Sequence, residues 1–224
     1  MAARKVIMTK EYPQHRFEVP KGAVDVIFIR HGETIPAVAG VSFPMKDGHG
    51  DPQLHERGEA QAVAVGERLK DEHFDALYVT SLQRTHQTMA PLAAHKSMTP
   101  IIEPDLREIC LGDWDGGLYR IKSAEGAPEF VKAKAEHEWG HIPGAETTAQ
   151  LHERVERGLW RLLENHADQR IAFVVHGGVI GAIMSIATGC KPFGLIGASN
   201  GSIHNVVLTR DRFFVRSFND CGHL

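Results

Sequence analysis

The most constraining feature of the chain is a pair of short apolar runs that each stop at a histidine followed by glycine. Residues 24–29 are followed by the motif RHGET, and residues 171–175 are followed by HGG. Short runs of β-branched and aromatic residues that end at glycine predict buried strands. Because His31 and His176 stand where the runs break, we expect them at the carboxyl ends of strands, where open α/β sheets bind ligands. On these residues alone, a strand end that is merely solvated remains an alternative.

Strand-like and helix-like segments alternate along the chain. Residues 56–73 carry apolar positions at i, i+3, i+4 and i+7, and Thr147 with Gln150 forms a capping box at the start of another helix. The alternation predicts the α/β class, with a three-layer α/β/α architecture and a mostly parallel central sheet. We expect strands at 24–29, 74–79, 101–102, 171–175, 203–209 and 213–218, and helices at 56–73, 82–95, 127–139, from 147 onward and at 179–188.

The chain is expected to form a single domain over residues 1–224. Residues 1–23 are polar, contain prolines and are interpreted as an N-terminal extension, with a short strand expected at residues 5–8. Prolines and glycines make residues 35–53 a long loop. Long ordered loops in compact domains are usually functional, so this loop is a candidate to border a site.

Composition limits the function classes that this chain can serve. It has 224 residues, a formal net charge of −3, 42% hydrophobic and 24% charged residues. A weakly negative chain offers no basic field for nucleic acid or for an anionic membrane. No apolar run reaches the length of a membrane span, the N-terminal run is too short for a signal peptide, and the three cysteines form no CxxC pair. We therefore expect a cytoplasmic protein with neither a nucleic-acid nor a membrane partner.

A third polar segment, which follows the strand at 74–79, indicates anion binding. Thr80 and Ser81 are expected to cap the next helix, and this puts Arg84 in its first turn. The helix dipole disfavours a cation there unless an anion binds at the same helix start. Guanidinium groups match phosphate oxygens, histidine can attack phosphorus, and glycines beside a histidine let backbone amides approach an oxyanion. No Walker GxxxxGK[ST] motif occurs, so the pattern predicts a phosphate site outside the P-loop class.

Six motifs in the same order resemble those of the histidine phosphatase superfamily, the phosphoglycerate mutase-like group (branch 1). The motifs are RHGET at 30–34, LHERGEAQA at 54–62, SLQRTHQT at 81–88, LREICLGDWDG at 106–116, PGAET at 143–147 and VHGGV at 175–179. The resemblance implies a phosphoglycerate mutase-like fold and a metal-independent phosphatase that uses no cofactor. Its partner would be a small phosphorylated substrate, and a homodimer is compatible with such a fold.

The resemblance also implies a role for each matching residue. The catalytic residues would be His31, Glu108 and His176, and the phosphate-binding residues would be Arg30, Arg84 and Gly177. Neutral His31 would attack phosphorus in line and become phosphohistidine. The arginines and His176 would hold the equatorial oxygens as the bond to the leaving group loosens. Glu108 would protonate the leaving alkoxide and then activate water.

One position departs from the family pattern. The family commonly places an asparagine three residues after the RHGE[TS] motif, where it helps to bind phosphate, and this chain has Ala37 there. Either another polar group from the 35–53 loop takes its place, or the pocket holds phosphate with one donor fewer. Since a hydrogen bond to a charged group contributes about 1.5–3 kcal/mol, the second case predicts weakened but not abolished catalysis.

A competing motif, HExxH, occupies residues 137–141 and is typical of zinc metalloproteases. That chemistry needs both histidines on one face of a stable helix. Gly140 lies within the motif and Pro143 follows closely, so we expect the helix to end there. The match is interpreted as coincidental in a chain with 14 histidines.

Two alternatives remain within the resembling family. Mutases usually carry asparagine after the second His-Gly, where this chain has Gly178, and the segment 116–143 is short compared with the mutase insertion. A phosphatase is therefore favoured over a mutase-type phosphoryl transfer. A non-catalytic binding module on the same fold is a second alternative, which the retained catalytic residue types disfavour. The other histidines, His49 included, are expected to be solvated or on helix surfaces, whereas His55 and His204 are expected near the active edge because of the motifs that flank them.

Overall fold

The computed structural model of the protein describes residues 11–224, so the strand expected at residues 5–8 lies outside the described residues. The strands are β1 (Val24–Arg30), β2 (Met45–Lys46), β3 (His49–Gly50), β4 (Ala76–Val79), β5 (Ile101–Ile102), β6 (Arg170–Val175), β7 (Ile203–Leu208) and β8 (Phe213–Asp220). The helices are α1 (Glu56–Leu69), α2 (Gln83–Lys96), α3 (Leu118–Glu125), α4 (Pro128–Glu136), α5 (Thr148–Asn165) and α6 (Gly177–Thr188). No helix among these is both long enough and apolar enough to cross a membrane.

Within the described part of the chain, six strands form one mixed sheet in the order β5-β4-β6-β1-β7-β8. The pairs β5/β4, β4/β6 and β6/β1 are parallel, whereas β7 runs antiparallel to both β1 and β8. The predicted α/β class with a mostly parallel sheet is thus confirmed. The two final strands are antiparallel because only a tight turn connects them, closed by the amide of Arg212 and the hydroxyl of Thr209.

Alternate residues of the central strands pack on opposite faces of the sheet. Val26 and Phe28 of β1 join a core with α5 and α6, and Ile27 and Ile29 join another core with α1 and α2. A strand buried on both faces reads as a continuous apolar run, because its side chains alternate between two cores. This explains why β1 and β6 were recognisable in the sequence.

The start of α2 differs from the prediction. Neither Thr80 nor Ser81 caps the helix; its N-cap is Leu82, which makes no side-chain cap bond. Instead, the Asp51 carboxylate accepts the amide hydrogen of Gln83 at 2.8 Å. The hydroxyl of Thr80 bonds to the ring of His176. The cap therefore comes from the end of the 35–53 loop, a distant segment that no local pattern could identify.

We expect Asp51→Ala to lower the free energy of unfolding by about 1 kcal/mol, because an orphaned helix amide replaces a capped one. Asp51→Asn keeps an oxygen acceptor for the amide of Gln83 and is expected to lose distinctly less. Urea unfolding of both variants beside the wild type measures the difference. If the asparagine variant were as unstable as the alanine variant, the negative charge and not the cap would be the source of the stability.

The HExxH segment does not form the geometry of a zinc site. Helix α4 ends at Glu136, and His137 takes a left-handed backbone conformation with φ of 57°. His141 lies in a separate 3₁₀ turn, where its Nε2 is 2.7 Å from the carboxylate of Glu136. Glu138 accepts backbone amides, that of Gly140 at 2.6 Å among them. The helix thus ends at residue 136 and not at the expected residue 139, so the HExxH motif lies outside it.

Candidate active site

The two histidines singled out in the sequence meet at the carboxyl edge of the sheet. Strands β1 and β6 are parallel neighbours, with Arg30 paired to Val175, so the residues that follow them are adjacent. The amide of His31 donates to the carbonyl of Val175 at 3.0 Å. The ring centroids of His31 and His176 lie 5.2 Å apart, and both residues are buried. Parallel pairing therefore joins two motifs that are far apart in the sequence.

The local contacts of His31 suit a nucleophilic imidazole. Its Nδ1 lies 2.8 Å from the carbonyl oxygen of Gly32, which can only accept, so Nδ1 carries the proton and Nε2 keeps its lone pair. Burial, followed by the charges of Arg84 and Arg30, holds the pKa of His31 well below its usual range. The ring is therefore neutral at physiological pH, and a neutral ring is the form that can attack phosphorus.

His176 lies beside His31 with one ring nitrogen satisfied and the other unpartnered. Its Nε2 is 2.9 Å from the hydroxyl of Thr80, while its Nδ1 is buried and has no partner among residues 11–224. Burial is the main cause of a pKa well below the usual value, and Arg84 contributes next. A buried ring nitrogen without a partner next to a candidate nucleophile calls for an explanation, and a bound oxyanion would provide one.

Arg30 presents a second unpartnered nitrogen. Its Nη1 donates to the carbonyl of Ala198, and its buried Nε has no partner in the described residues. Gly177 lies against this guanidinium, since a Cβ at position 177 would stand 3.3 Å from the Nε of Arg30. The glycine at the start of α6 thus lets the arginine lie close to the helix N-terminus, where an anion is favoured.

Arg84 is buried in the first turn of α2, as the sequence predicts. Its Nη1 donates to the carbonyl of Gly50 at 2.9 Å, and its nearest carboxylate is Asp51 at 3.8 Å. The end of the 35–53 loop therefore fixes the position of this guanidinium. The contact gives the loop a structural link to the candidate site.

Backbone amides hold one carboxylate oxygen of Glu108, Oε1. Its Oε1 accepts the amide hydrogens of Ile109 at 3.0 Å and Gly178 at 3.1 Å. A Cβ at position 178 would lie 2.7 Å from that oxygen, so any larger residue would displace the carboxylate. The glycine that the sequence analysis associates with phosphatases is thus required by the position of Glu108 in this structure.

A cavity of about 310 Å³ opens above these residues. Five of the six predicted site residues line it, namely Arg30, His31, Arg84, Glu108 and Gly177. Four aromatic residues, Phe43, Trp114, Tyr119 and Trp139, also line it. The 35–53 loop contributes Phe43 to this lining, whereas its Val38 and Val41 are 56% and 63% exposed. The cavity lining therefore combines arginines with aromatic side chains, and its volume is at the lower end of the usual ligand-pocket size.

Two basic residues that the sequence analysis did not assign to the site, His49 and Arg120, also line the cavity. His49, expected to be solvated, is only 4% exposed; its Nδ1 bonds to the carbonyl of Asp47, and its Nε2 has no partner in residues 11–224. Arg120 reaches the cavity from α3. Neither belongs to a recognised motif, so only the folded arrangement reveals them. Among the same residues, no cluster of histidine, cysteine, aspartate or glutamate has a metal-binding arrangement.

His204 is fully buried on β7, where its ring bridges two partners. Its Nδ1 accepts the amide hydrogen of Asn219 at 3.1 Å, so Nε2 carries the proton and donates to the hydroxyl of Ser202 at 2.9 Å. Burial, with a further contribution from the charge of Arg30, lowers its pKa to about 4. The folded protein thus keeps this histidine neutral and close enough to Arg30 for the two groups to interact, although His204 does not line the cavity.

Stability is expected to depend on pH through His204. The neutral ring contributes its full stability above pH 6.5, which is the pKa of histidine in the unfolded chain. This contribution is lost as the pH falls toward 4, the pKa of His204 in the folded protein. The loss amounts to about 3 kcal/mol at 1.36 kcal/mol per pKa unit. Urea unfolding at several pH values should show a weaker acid destabilisation for His204→Gln than for the wild type. An identical pH dependence in the two proteins would contradict this role.

The family found by comparison with known proteins agrees with the arrangement of the candidate site residues. A model of the histidine phosphatase superfamily (branch 1) matches residues 26–221. A metal-independent phosphoserine phosphatase from Arabidopsis thaliana is 32% identical over 211 residues, which cover 92% of this chain and 86% of that protein. Phosphoserine phosphatase 1 from Hydrogenobacter thermophilus is 28% identical over 203 residues, which cover 90% and 94%.

A solved structure supports the fold. The phosphoglycerate mutase from Bacillus anthracis superimposes with a TM-score of 0.73 at 22% identity, and the match covers 91% of this chain and 96% of that one. The predicted phosphoglycerate mutase-like fold is therefore confirmed. The family match extends from β1 into the last residues of the chain and includes all six predicted site residues. This protein belongs to the histidine phosphatase superfamily, branch 1.

Proposed function

We propose that this protein hydrolyses a small phosphate monoester through a phosphohistidine intermediate on His31. The observation that carries the proposal is the neutral, buried His31, which is accompanied by two buried nitrogens with no partner in residues 11–224, Arg30 Nε and His176 Nδ1. A phosphoryl group supplies the acceptor oxygens that such nitrogens need. The relatives named as phosphoserine phosphatases support a small phosphorylated substrate.

In the first step, the lone pair on Nε2 of His31 forms a bond to phosphorus and the ester P–O bond breaks. The negative charge is spread over the equatorial oxygens, which Arg30 and Arg84 neutralise. The Nδ1 of His176 donates to one of these oxygens, and the hydroxyl of Thr80 supports this tautomer by donating to Nε2. Glu108 enters the step protonated and transfers its proton to the leaving alkoxide.

In the second step, water attacks the phosphohistidine. Glu108, now a carboxylate, accepts a proton from the water as the new P–O bond forms and the P–N bond to His31 breaks. The step returns neutral His31, protonated Glu108 and inorganic phosphate. The backbone amides that fix Oε1 leave the other carboxylate oxygen of Glu108 free for both transfers.

Phosphate release by the purified protein tests the proposal directly. We expect inorganic phosphate from O-phosphoserine or p-nitrophenyl phosphate in the presence of a strong chelator. With ³²P-labelled substrate, quenching under alkaline denaturing conditions should trap an acid-labile label that peptide mapping assigns to His31. Turnover with no label on any histidine would refute the covalent route. Exchange between phosphoglycerate isomers without phosphate release would indicate a mutase, and the absence of any turnover would favour a binding module.

A further inference from the structure

A tight turn between β2 and β3 leads directly to a histidine in the cavity lining. The two strands are joined by Asp47 and Gly48, whose φ angles are 50° and 80°. Two successive left-handed residues in a two-residue hairpin loop are typical of a type I′ turn, and Asp-Gly is a preferred sequence for it. His49 follows this turn and lines the cavity. A local sequence signal therefore sets the backbone path that leads to His49.

Contacts with distant segments hold the residue next to His49. The amide of Gly50 donates to Asp115 at 2.7 Å, and its carbonyl accepts a hydrogen bond from Nη1 of Arg84 at 2.9 Å. A Cβ at position 50 would lie 3.0 Å from the backbone nitrogen of Gly116, so the strand packs closely against the segment that carries Asp115. His49 therefore belongs to a short strand that is tied to an arginine of the candidate site.

The imidazole of His49 presents a hydrogen-bond acceptor. The residue is 4% exposed, and its Nδ1 lies 2.9 Å from the carbonyl oxygen of Asp47. Because a carbonyl oxygen can only accept, Nδ1 of the neutral ring carries the proton and Nε2 carries a lone pair. This Nε2 is buried and has no hydrogen-bond partner in residues 11–224. Buried polar atoms of native proteins are nearly always paired, so Nε2 needs a donor from a bound ligand or water.

The carboxylates of the cavity lining are already engaged. Asp115 accepts the amide hydrogen of Gly50 with Oδ1 and that of Leu111, at 2.8 Å, with Oδ2. One oxygen of Glu108 accepts two backbone amides, and the other is assigned to proton transfer under the proposed function. His49 therefore offers an acceptor that neither these contacts nor the proposed chemistry uses.

The acceptor character of Nε2 distinguishes it from the groups that would bind the phosphoryl oxygens. Ionised phosphoryl oxygens are acceptors themselves, and the proposed function pairs them with the donors Arg30, Arg84 and His176. A lone pair on His49 cannot bind such an oxygen. Its partner has to be an N–H or O–H group, which the alcohol portion of the substrate can carry.

We propose that Nε2 of His49 accepts a hydrogen bond from the alcohol portion of the substrate, so that the preferred ester carries a hydroxyl or an ammonium group besides its phosphate. This inference rests on the proposed phosphatase function and narrows its substrate class. A site built to pair a donor rejects the analogue that lacks it, because the buried acceptor is then left unpaired. His49 thus determines specificity and takes no part in the bond changes at phosphorus.

Matched esters test this pairing. O-phosphoserine, 3-phospholactate and 3-phosphonooxypropanoate carry an ammonium, a hydroxyl or a hydrogen on the same carbon. The 3-aminopropyl, 3-hydroxypropyl and propyl phosphates form a second series that has no carboxylate. The quantity measured is the ratio of kcat/KM for an ester with a donor to kcat/KM for the ester without one. We expect the wild type to prefer a donor in at least one series, and the larger ratio distinguishes ammonium from hydroxyl.

Two substitutions separate the two nitrogens of the ring. The amide nitrogen of asparagine can take the position of Nδ1 and bond to Asp47, but no asparagine atom reaches the position of Nε2. We therefore expect His49→Asn to reduce the ratio by about 3- to 10-fold for a hydroxyl and about 10- to 100-fold for an ammonium. His49→Gln places an oxygen near the position of Nε2 and is expected to retain part of the preference. Because each ratio comes from one preparation, an inactive unfolded fraction cancels.

The control is a histidine outside the cavity lining. His73 has a side chain that is 79% exposed, and His73→Asn should leave the ratios unchanged. An equal loss for all esters in His49→Asn, with unchanged ratios, would give His49 a structural or phosphate-binding role and overturn the proposal. A wild type that releases phosphate from both series without preferring a donor would overturn it as well. No phosphate release from any ester would instead refute the phosphatase function, and this inference with it.

Discussion

His31→Ala is expected to abolish phosphate release, with a loss of about 10⁴-fold or more in kcat. The substitution removes the only atom proposed to form a bond with phosphorus, and water would have to attack directly in its place. The loss is expected in kcat, because Arg30 and Arg84 remain to bind the phosphoryl group. The variant should also carry no acid-labile label after quenching. Steady-state phosphate release and the labelling experiment measure both effects.

The control for this variant is a histidine outside the site. His73 has a side chain that is 79% exposed, and His73→Ala is expected to retain wild-type turnover and label. Circular dichroism and urea unfolding establish whether His31→Ala keeps the fold. Substantial turnover in a folded His31→Ala protein, or a label that persists on another residue, would rule out His31 as the nucleophile.

Glu108→Gln is expected to slow hydrolysis by about 10²- to 10⁴-fold for esters of ordinary alcohols. Glutamine keeps an oxygen that can accept the amides of Ile109 and Gly178, so the geometry is preserved while the transferable proton is lost. An ester of p-nitrophenol needs little protonation of its leaving group. With this ester, the substitution should therefore slow the formation of phosphohistidine much less. Single-turnover rates for a series of leaving groups measure this dependence.

The slope of the logarithm of the rate against the pKa of the leaving alcohol decides whether Glu108 donates the proton. The wild type should depend weakly on the pKa of the leaving alcohol, and Glu108→Gln should depend strongly on it, because only the wild type can donate a proton. An equal loss for every leaving group would assign Glu108 a role in positioning or charge balance. Rates that match the wild type for all esters would remove it from the mechanism.

Several features of the protein could be predicted because they depend on local sequence patterns. β1 and β6 are buried on both faces, so each appears as a continuous apolar run that glycine ends. The capping box of Thr147 and Gln150 forms as expected, and α6 ends at Gly189 in a left-handed conformation. The proposed phosphate chemistry rests on residue types that few other reactions need together. Such signals depend on neighbours within a few positions of the chain.

The errors arose where a long-range contact replaced a local one. Thr80 and Ser81 precede α2 at a suitable distance for a cap, yet Asp51 supplies it from another segment. His49 lies in a polar loop and reads as solvated, but the loop folds back and buries it. In each case the competing interaction comes from residues whose proximity depends on how the 35–53 loop packs.

The sequence by itself determined the fold class, the family and the residue types at the proposed phosphate site, because strand burial, glycine breaks and motif order are local properties. The tertiary structure alone decided which groups share the cavity. It brought His31 next to His176 through parallel pairing, placed Asp51 near Arg84, and placed Arg120 in the cavity lining. The physical reason is that hydrogen-bond register and packing set distances between segments, and no short pattern encodes them.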